Sequence, residues 1–182
     1  MQDLSLNILD ITDNSIKAMA ELIEINITVF DNILTIEIKD NGKGMSKDFL
    51  SKVIDPYVTT RKTRSVGLGI PFFKMQAELS GGTFYIDSTE GEGTIIRATF
   101  EVNNIDRPPL GNLSETICAL LPAFETRELV LNFEVNENSF VFDTKELKEN
   151  LEGVSIAEPF VIKFVKDFLE ENIKTVLGGV IL

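Results

Sequence analysis

The stretch of this 182-residue chain whose residues could do chemistry is Asp40-Asn41-Gly42-Lys43-Gly44-Met45. The carboxylate of Asp40 can accept hydrogen bonds from an amine, and two glycines separated by one residue let a flat ring approach the backbone. Residues 34–39 alternate as in a half-buried strand, and Ser46 is a typical helix N-cap. A hairpin turn is the competing interpretation. Because no second strand follows, we favour a ligand-binding loop between a strand and a helix.

A second polar group occurs earlier in the chain. The apolar spacing over residues 4–23 predicts an amphipathic helix. Asp10, Asn14 and Lys17 recur at i, i+4 and i+7, so they share one face of that helix. Such a face is usually only solvated. A carboxylate, an amide and an ammonium together are also the groups that hold Mg²⁺ and phosphate oxygens, so both interpretations stay open at this point.

Two further stretches could contact an anion. Residues 55–65 lack hydrophobic periodicity and contain three cationic residues, which predicts an exposed loop. This loop is either an ordinary solvated segment or a lid over an anionic ligand, and in the second case we expect residues 58–66 to become ordered when that ligand binds. Gly67 and Gly69 precede a predicted helix, where free N–H groups and the helix dipole favour a phosphate.

Helices and strands that must position these residues follow one another along the chain. The predicted strands are 25–29, 33–39, 83–88, 94–102, 129–135 and 139–142, and the predicted helices after the first are 46–53, 70–79, 113–121, 144–151 and 158–177. The composition changes at residues 103–110, where Arg107-Pro108-Pro109 suits a boundary. We therefore predict an α+β chain with one domain over 1–103 and a smaller segment over 111–182.

The composition excludes several function classes. A formal net charge of −12 argues against a surface that binds nucleic acid phosphates. Cys118 is the single cysteine, so an internal disulfide and a cysteine-based metal site are both excluded, and we expect a reduced, cytoplasmic setting. We expect no membrane partner, because no apolar run is long enough to cross a bilayer. The chain has no histidine, which removes histidine acid–base chemistry and any phosphohistidine formed on these residues.

Residues 1–102 carry four motifs whose order and spacing resemble the Bergerat, or GHKL, ATP-binding fold. That family includes histidine kinases, type II topoisomerases, a class of heat-shock chaperones and mismatch-repair ATPases. The resemblance implies a two-layer α/β sandwich, with a mixed sheet and helices on one face, that binds ATP and Mg²⁺. Residues 111–182 are expected to form a small accessory α+β segment.

The resemblance also implies roles for individual residues. Asp10-Ile-Thr-Asp-Asn14 resembles the N-box, in which Asn14 ligates Mg²⁺, and residues 40–45 resemble the G1 box, in which Asp40 receives the adenine amino group. Tyr57–Lys62 resembles the start of the ATP lid of nitrogen-sensor-type histidine kinases. Residues 65–69 resemble the G2 box, and residues 91–94 resemble the closing strand motif. The implied ATP-binding residues are Asn14, Lys17, Asp40, Gly42, Gly44, Met45, Thr60, Arg61, Lys62, Gly67, Leu68, Gly69 and Thr94.

The chain departs from the family pattern at several points. Asp10 stands where hydrolysing relatives usually carry a Glu general base, and Ser65 stands where many lids have another glycine. A strand often precedes the N-box helix in the family, and none is expected here. The phosphoacceptor helix pair and its histidine are absent, so a kinase of this kind would act on another protein.

Four hypotheses about function follow. The first is a kinase-like domain that phosphorylates a partner's His or Ser in trans, and the second is a slow ATPase or nucleotide-gated binding module, with Asp10 as the catalytic residue if ATP is hydrolysed. A DNA-linked ATPase is disfavoured by the net charge. A ligand-free α+β domain would need four coincidences in order. The expected partners are ATP, an unidentified protein and, as an open alternative, a second copy of the chain.

Overall fold

The computed structural model describes residues 3–54 and 68–182 of the chain. The helices are α1 (Leu4–Lys17), α2 (Lys47–Val53), α3 (Gly69–Leu79), α4 (Leu113–Leu120), α5 (Thr144–Asn150) and α6 (Pro159–Leu177). The strands are β1 (Leu22–Phe30), β2 (Ile33–Asp40), β3 (Phe84–Thr89), β4 (Gly93–Glu101), β5 (Glu128–Val135) and β6 (Asn138–Asp143). A short 3₁₀ helix, Leu121–Phe124, extends α4. None of the helices in these described ranges has the length and apolar character needed to cross a bilayer.

All six strands form one mixed sheet in the order β3-β4-β2-β1-β5-β6. Three antiparallel hairpins make up the sheet, and the only parallel pairing among the described strands joins β1 to β5. Helices α3, α1, α4 and α6 contact one another in that order and pack on one side of the sheet. The predicted two-layer α+β architecture, with a mixed sheet and helices on one face, is confirmed.

The core lies between the sheet and this helix layer. Alternating residues of β1 and β5 are fully buried and pair in register, with Ile25 beside Leu131 and Ile27 beside Phe133. Asn26 and Asn132, which lie between them, point to the opposite face and are joined by a 2.6 Å hydrogen bond. The period of two therefore sends apolar side chains to the helices and polar ones to the open face.

Strand β5 lies parallel to β1 at the position beside it. If a strand preceded α1, the order strand, α1 and β1 would form a βαβ unit, and that strand would be parallel to β1. The C-terminal half of the chain therefore supplies a strand where the family often has one ahead of the N-box helix. The strand itself was predicted over residues 129–135, but its parallel pairing with β1 was not.

The first helix is shorter than the sequence predicts. We expected a helix over 4–23, but α1 ends at Lys17 and the chain turns through Met19, whose φ is 63°. Ala20 and Ile23 continue the apolar spacing of the helix, but neither is helical. Ala20 is buried in the turn, and Ile23 is a core position of β1. The predicted helix was too long because the helical period of apolar residues continues by chance into β1.

The segment between the two halves of the chain caps α1. The N–H groups of Leu4 and Ser5 donate to the carbonyls of Pro109 and Leu110, at 2.9 and 2.8 Å. Asp3 accepts from the N–H of Leu6 at 3.1 Å as the helix N-cap. The free donors of the first turn of α1 are thus partly satisfied by residues that follow β4. The helix that carries Asp10 and Asn14 therefore depends on the connection to the C-terminal half.

Candidate functional site

A cavity of about 220 Å³ opens between α1, the loop after β2, and β4. Its walls are mixed, with apolar side chains on the inside and polar or cationic ones at the mouth. The lining residues are Ile11, Asn14, Ser15, Lys17, Ala18, Asp40, Lys43, Gly44, Met45, Phe49, Val53, Ile70, Thr94 and Ile96. An apolar cleft with a few convergent polar groups is the usual form of a small-molecule site.

Asp40 is the buried acidic side chain of this cavity. Its residue is 8% exposed, at the last position of β2. One carboxyl oxygen accepts from the backbone N–H of Gly42 at 2.8 Å, and the other accepts from the hydroxyl of Ser15 at 2.7 Å. Each carboxylate oxygen can accept about two hydrogen bonds, so the group keeps acceptor capacity toward the cavity. Two fixed donors therefore hold the carboxylate in one orientation.

The loop after Asp40 is clamped from two sides. The N–H of Lys43 donates to the carbonyl of Ala18 at the end of α1, at 2.9 Å, and the carbonyl of Lys43 accepts from Gly91 in the β3–β4 turn, at 2.8 Å. Gly44 has φ of 63°, and a Cβ there would lie 1.9 Å from the carbonyl oxygen of Thr89. Only glycine fits this contact, so the loop is held against the β3–β4 turn by close backbone packing.

A hydroxyl pair on the β3–β4 hairpin completes the floor of the cavity. The Ser88 hydroxyl oxygen accepts from the N–H of Met45 at 2.9 Å and donates to the carbonyl of Gly93 at 2.9 Å. The hydroxyl of Thr94 is also 2.9 Å from that of Ser88. Because a carbonyl can only accept, the Ser88 proton goes to Gly93 and Thr94 donates to Ser88. Thr94 therefore keeps an acceptor lone pair for the cavity that it lines.

The polar face of α1 forms the mouth of the cavity. Asn14 and Lys17 line it, and the Lys17 ammonium forms an exposed ion pair with Asp13, four residues earlier. Asp10 lies one turn before Asn14, next to the N-terminus of α3. A Cβ built on Gly69 would lie 3.3 Å from a carboxyl oxygen of Asp10. The α1 face predicted from sequence is thus brought against the start of the helix that follows the glycine-rich stretch.

The donor set of this mouth suits Mg²⁺ bound together with phosphates. Magnesium is commonly held by one or two protein oxygens, waters and substrate phosphate oxygens rather than by a full protein cage. Asn14 offers an amide oxygen, and Asp10 offers a carboxylate one turn away on the same face. Across residues 3–54 and 68–182, no three carboxylate, thiol or imidazole groups gather as a cage. The residues present therefore fit a nucleotide-bridged ion.

The structure brings most of the sequence-predicted residues together. Gly42 lies behind Asp40, and the lining set includes Asn14, Lys17, Asp40, Gly44, Met45 and Thr94. Leu68 faces a separate depression with Phe72 and Met75, so it is not part of the cavity wall. Four of the predicted residues lie outside the described part of the chain, and their placement stays a prediction: Thr60, Arg61, Lys62 and Gly67.

Sequence reasoning missed the walls of the cavity and the groups that hold Asp40. Ser15 and Ser88 are small buried hydroxyls, a type that is common in many cores. The apolar wall residues Phe49 and Val53 have the ordinary spacing of a helix, which does not distinguish a cavity wall from a core position. Ser15 could have been found, because it directly follows Asn14 on the motif helix. For Ser88 there was no local signal, since its partners lie in the loop after β2 and on β4.

Comparison with known proteins identifies one ATPase family and several sensor histidine kinases. Residues 2–104 match the family model described as histidine kinase-, DNA gyrase B-, and HSP90-like ATPase. The chain is similar to an NtrY-like sensor histidine kinase of Rickettsia conorii, with 30% identity over 58% of this chain and 18% of the relative. It is also similar to the sensor histidine kinase ZraS of Escherichia coli, with 32% identity over 54% of this chain and 21% of the relative. A third relative is WalK of Bacillus subtilis, with 33% identity over 54% and 18%. The chain thus spans about a fifth of the length of these curated relatives.

Proposed function

The chain belongs to the histidine kinase-, DNA gyrase B- and HSP90-like ATPase family, and from this premise we propose that it binds Mg-ATP in the cavity around Asp40. The observation that carries the proposal is the Asp40 carboxylate, held by Ser15 and Gly42 and open to the cavity. An adenine amino group would donate to its remaining lone pairs. The apolar walls suit the faces of a flat heterocycle, and the Thr94 hydroxyl adds a second polar contact.

The phosphates would extend from the adenine toward the mouth. Lys17 and Lys43 line the cavity and bring cationic side chains to it in a chain of net charge −12, and phosphate oxygens would compete with Asp13 for the Lys17 ammonium. The N-terminus of α3 lies beside Asp10, and free N–H groups at a helix start favour phosphate oxygens. Mg²⁺, when bound, would neutralise phosphate charge. Asn14 would hold the ion through its amide oxygen. Arg61 and Lys62 stay predicted contacts from sequence.

Transfer of the γ-phosphoryl group to a partner protein is the first activity we infer. In that step a partner nitrogen or oxygen attacks the γ-phosphorus, and the bond to the ADP oxygen breaks. The relatives named above are all sensor histidine kinases, which favours transfer. These 182 residues contain no histidine, so any phosphohistidine lies outside them. The partner, or regulated protein, is recognised in trans in this proposal.

Slow ATP hydrolysis, or nucleotide-gated binding without transfer, is the second candidate. The observation that favours hydrolysis is the carboxylate of Asp10 beside the start of α3, where the γ-phosphate would lie. Asp10 would take a proton from a water as that water attacks the γ-phosphorus. The product is then inorganic phosphate and ADP.

Calorimetric titration with Mg-ATP tests the binding proposal. Asp40→Asn should weaken binding by about tenfold to a hundredfold, because removing an acceptor leaves a buried donor unpaired at a cost of about 1–3 kcal/mol. Asp106→Asn, at an exposed acidic residue far from the cavity, is the matched control and should bind as the wild type. Equal affinity in a folded Asp40→Asn variant would refute adenine recognition by Asp40.

Incubation with γ-labelled ATP separates the two activities. Label released as free phosphate, and lost in Asp10→Asn with binding retained, identifies hydrolysis. Label on a protein co-purified with the chain, with no free phosphate, identifies transfer. Asn14→Ala should remove the Mg²⁺ dependence of binding in either case, since the amide is the proposed protein ligand.

A further inference from the structure

The outer face of α6 carries a row of three exposed phenylalanines, called here the aromatic row: Phe160, Phe164 and Phe168. Their exposed fractions are 63%, 61% and 38%. The opposite face of α6 already fills the core with Val161, Val165 and Leu169. The row is therefore additional to what folding of the chain requires.

The aromatic row lies on the flank of α6 that faces the outer edge of the sheet. The ring of Phe168 lies 6.4 Å from that of Phe142 on β6, and it stacks on Phe164 at 6.5 Å. The other flank of α6 contacts α4, where the Lys166 ammonium bonds Glu115 at 2.9 Å. That bond raises the pKa of Lys166. One flank is thus closed by ion pairing, and the other is apolar and open.

Strand β6 forms the sheet edge next to this open flank. Its residues, Asn138–Asp143, include Phe140, Val141 and Phe142 and contain no lysine or proline. Lysine, proline and bulges are the usual protection of an exposed edge. Helix α6 packs against β6, as α2 does against β3, so the aromatic row itself borders this edge. Among the described residues, the outer edge of β6 and the aromatic row therefore form one continuous surface at the C-terminal end of the sheet.

A single two-fold axis, perpendicular to the sheet beside β6, would use both parts of this surface. It places β6 antiparallel to β6 of a second copy, which is the geometry of antiparallel pairing. The same operation keeps the helix layers on one side and sets α6 antiparallel to α6 of the second copy. Isologous contacts of this type are the commonest in soluble oligomers.

The charges beside the aromatic row are self-complementary in that arrangement. With a rise of about 1.5 Å per residue and the axis at Phe164, Phe160 lies level with Phe168 of the second copy. Lys163 then lies about 3 Å along the axis from Asp167 of the second copy, on the same side of the row. The basic residue precedes the acidic one along α6, so an antiparallel pair matches opposite charges twice. A parallel pair would not.

The area agrees with a second copy as the occupant. Using about 200 Å² per ring, the exposed part of the aromatic row amounts to about 300 Å² on each copy. A stable interface buries about 800 Å² per partner. Strand β6 with Val141 (59% exposed), together with the charged flank, can supply the remainder. We propose that the chain forms a homodimer through α6 and β6, joining two six-stranded sheets into one continuous sheet.

Sedimentation and light scattering of the 182-residue chain test this proposal. At micromolar concentration the mass should be twice 20.3 kDa. Phe164→Glu should weaken dimerisation by about a hundredfold, because it places a charge at the centre of the interface. The matched control, Phe30→Glu, changes a 75% exposed phenylalanine on β1 and should leave the dimer intact. Unchanged circular dichroism shows that both variants are folded.

A charge-exchange experiment tests the arrangement itself. Lys163→Glu and Asp167→Lys should each weaken the dimer by about tenfold, because each creates two like-charge contacts. A mixture of the two variants should form a heterodimer, and the double variant should regain the wild-type affinity. A wild-type chain that is monomeric at all concentrations overturns the proposal and assigns the surface to a different protein. A dimer that survives Phe164→Glu, or that ignores the charge exchange, overturns it as well.

Discussion

The N-terminal and C-terminal parts of the chain differ in how many polar side chains they bury. Of the ten buried polar residues in the described ranges, seven lie in residues 3–104 and three in residues 111–182. In the first group, the side-chain oxygens of Asn7 and Thr12 are buried without a hydrogen-bond partner among those described residues. Both parts bury phenylalanines, for example Phe100 in the first and Phe133 in the second, so the difference lies in the polar groups. The N-terminal part therefore retains more buried polar groups, two of them at a cost in stability, and the C-terminal part retains fewer.

Electrostatics at the C-terminal end support this division. The Ser155 hydroxyl donates to Glu125 and lowers the pKa of that carboxyl, and the backbone N–H of Ala157 adds a second bond. These contacts lie on the surface and fasten the segment before α6. In the N-terminal half the comparable bonds, from Ser15 and Gly42 to Asp40, are buried at a cavity. The same kind of bond thus holds a surface segment in one half and fixes the orientation of a buried carboxylate in the other.

The largest expected effect is on the core that both halves share. Phe133 is fully buried on β5, paired with Ile27 of β1 and 5.8 Å from the ring of Phe140. Phe133→Ala should lower the free energy of unfolding by about 3–5 kcal/mol. Urea denaturation should show one transition by circular dichroism, and ATP binding should be lost at the same urea concentration. Phe30→Ala, at a largely exposed position, is the control. A variant that loses C-terminal structure but still binds ATP would show that the two halves unfold separately.

The next effect concerns the close contact at the cavity. Gly44→Ala forces a Cβ to within 1.9 Å of the Thr89 carbonyl oxygen, so the loop after Asp40 must move. We expect ATP affinity to fall by tenfold or more, on the order of 1.4 kcal/mol or above. Gly153→Ala, in the C-terminal part, is the matched control, with a φ of 93° and no atom within 4 Å of the new Cβ. It should cost about 1 kcal/mol of stability and leave binding unchanged. Equal binding losses in the two variants would mean that backbone strain, and not the contact, is what matters.

A smaller effect is expected from the hydroxyl that joins the loop to the hairpin. Ser88→Ala leaves the N–H of Met45 without its acceptor, at a cost of about 1–3 kcal/mol divided between folding and ATP binding. Ser139→Ala, at an exposed position of β6, is the control. If Ser88→Ala lowers the melting temperature but leaves ATP affinity unchanged, the hydroxyl supports only the fold.

The family and the positions of Asp40 and Asn14 could be predicted because they depend on local sequence. Asp40 follows an alternating strand, and Asn14 repeats Asp10 after one helical turn, so spacing alone places each on a known face. The strands were also predictable from their period of two, with bounds within one or two residues except at the start of β1, which lies three residues earlier than predicted. The compartment stays a prediction from composition.

The contacts that join distant segments could not be predicted. Nothing in the sequence of β5 says that it pairs in parallel with β1, since a buried strand has the same apolar pattern in either direction. The end of α1 was missed because Ala20 and Ile23 happen to continue the helical period. Ser88 gains its role from Met45 and Gly93, which are brought to it only by the fold. Local periodicity identifies the helices and strands, whereas contacts between distant segments determine which side chains meet.

The smallest effect expected is on a group in the apolar half. Cys118 is buried between α4 and α6, and its thiol contacts the carbonyl oxygen of Ile162 at 3.6 Å. Burial raises the pKa of the Cys118 thiol from 9.0 to about 11, and nearby Lys166 opposes that rise only in part. In the unfolded chain the thiol ionises first, so rising pH favours the unfolded state between pH 9.0 and about 11.

The comparison of wild type with Cys118→Ala isolates this contribution, because all other titrating groups are common to both chains. The free energy of unfolding of the wild type should exceed that of the variant by a constant amount below pH 9.0, and the excess should shrink toward pH 11. ATP affinity should be the same in both, since the thiol lies in the half without the cavity. A difference that stays constant through this range would mean that the C-terminal core admits water to the thiol. The contrast between a polar, ligand-facing interior and a dry, apolar one would then fail at this position.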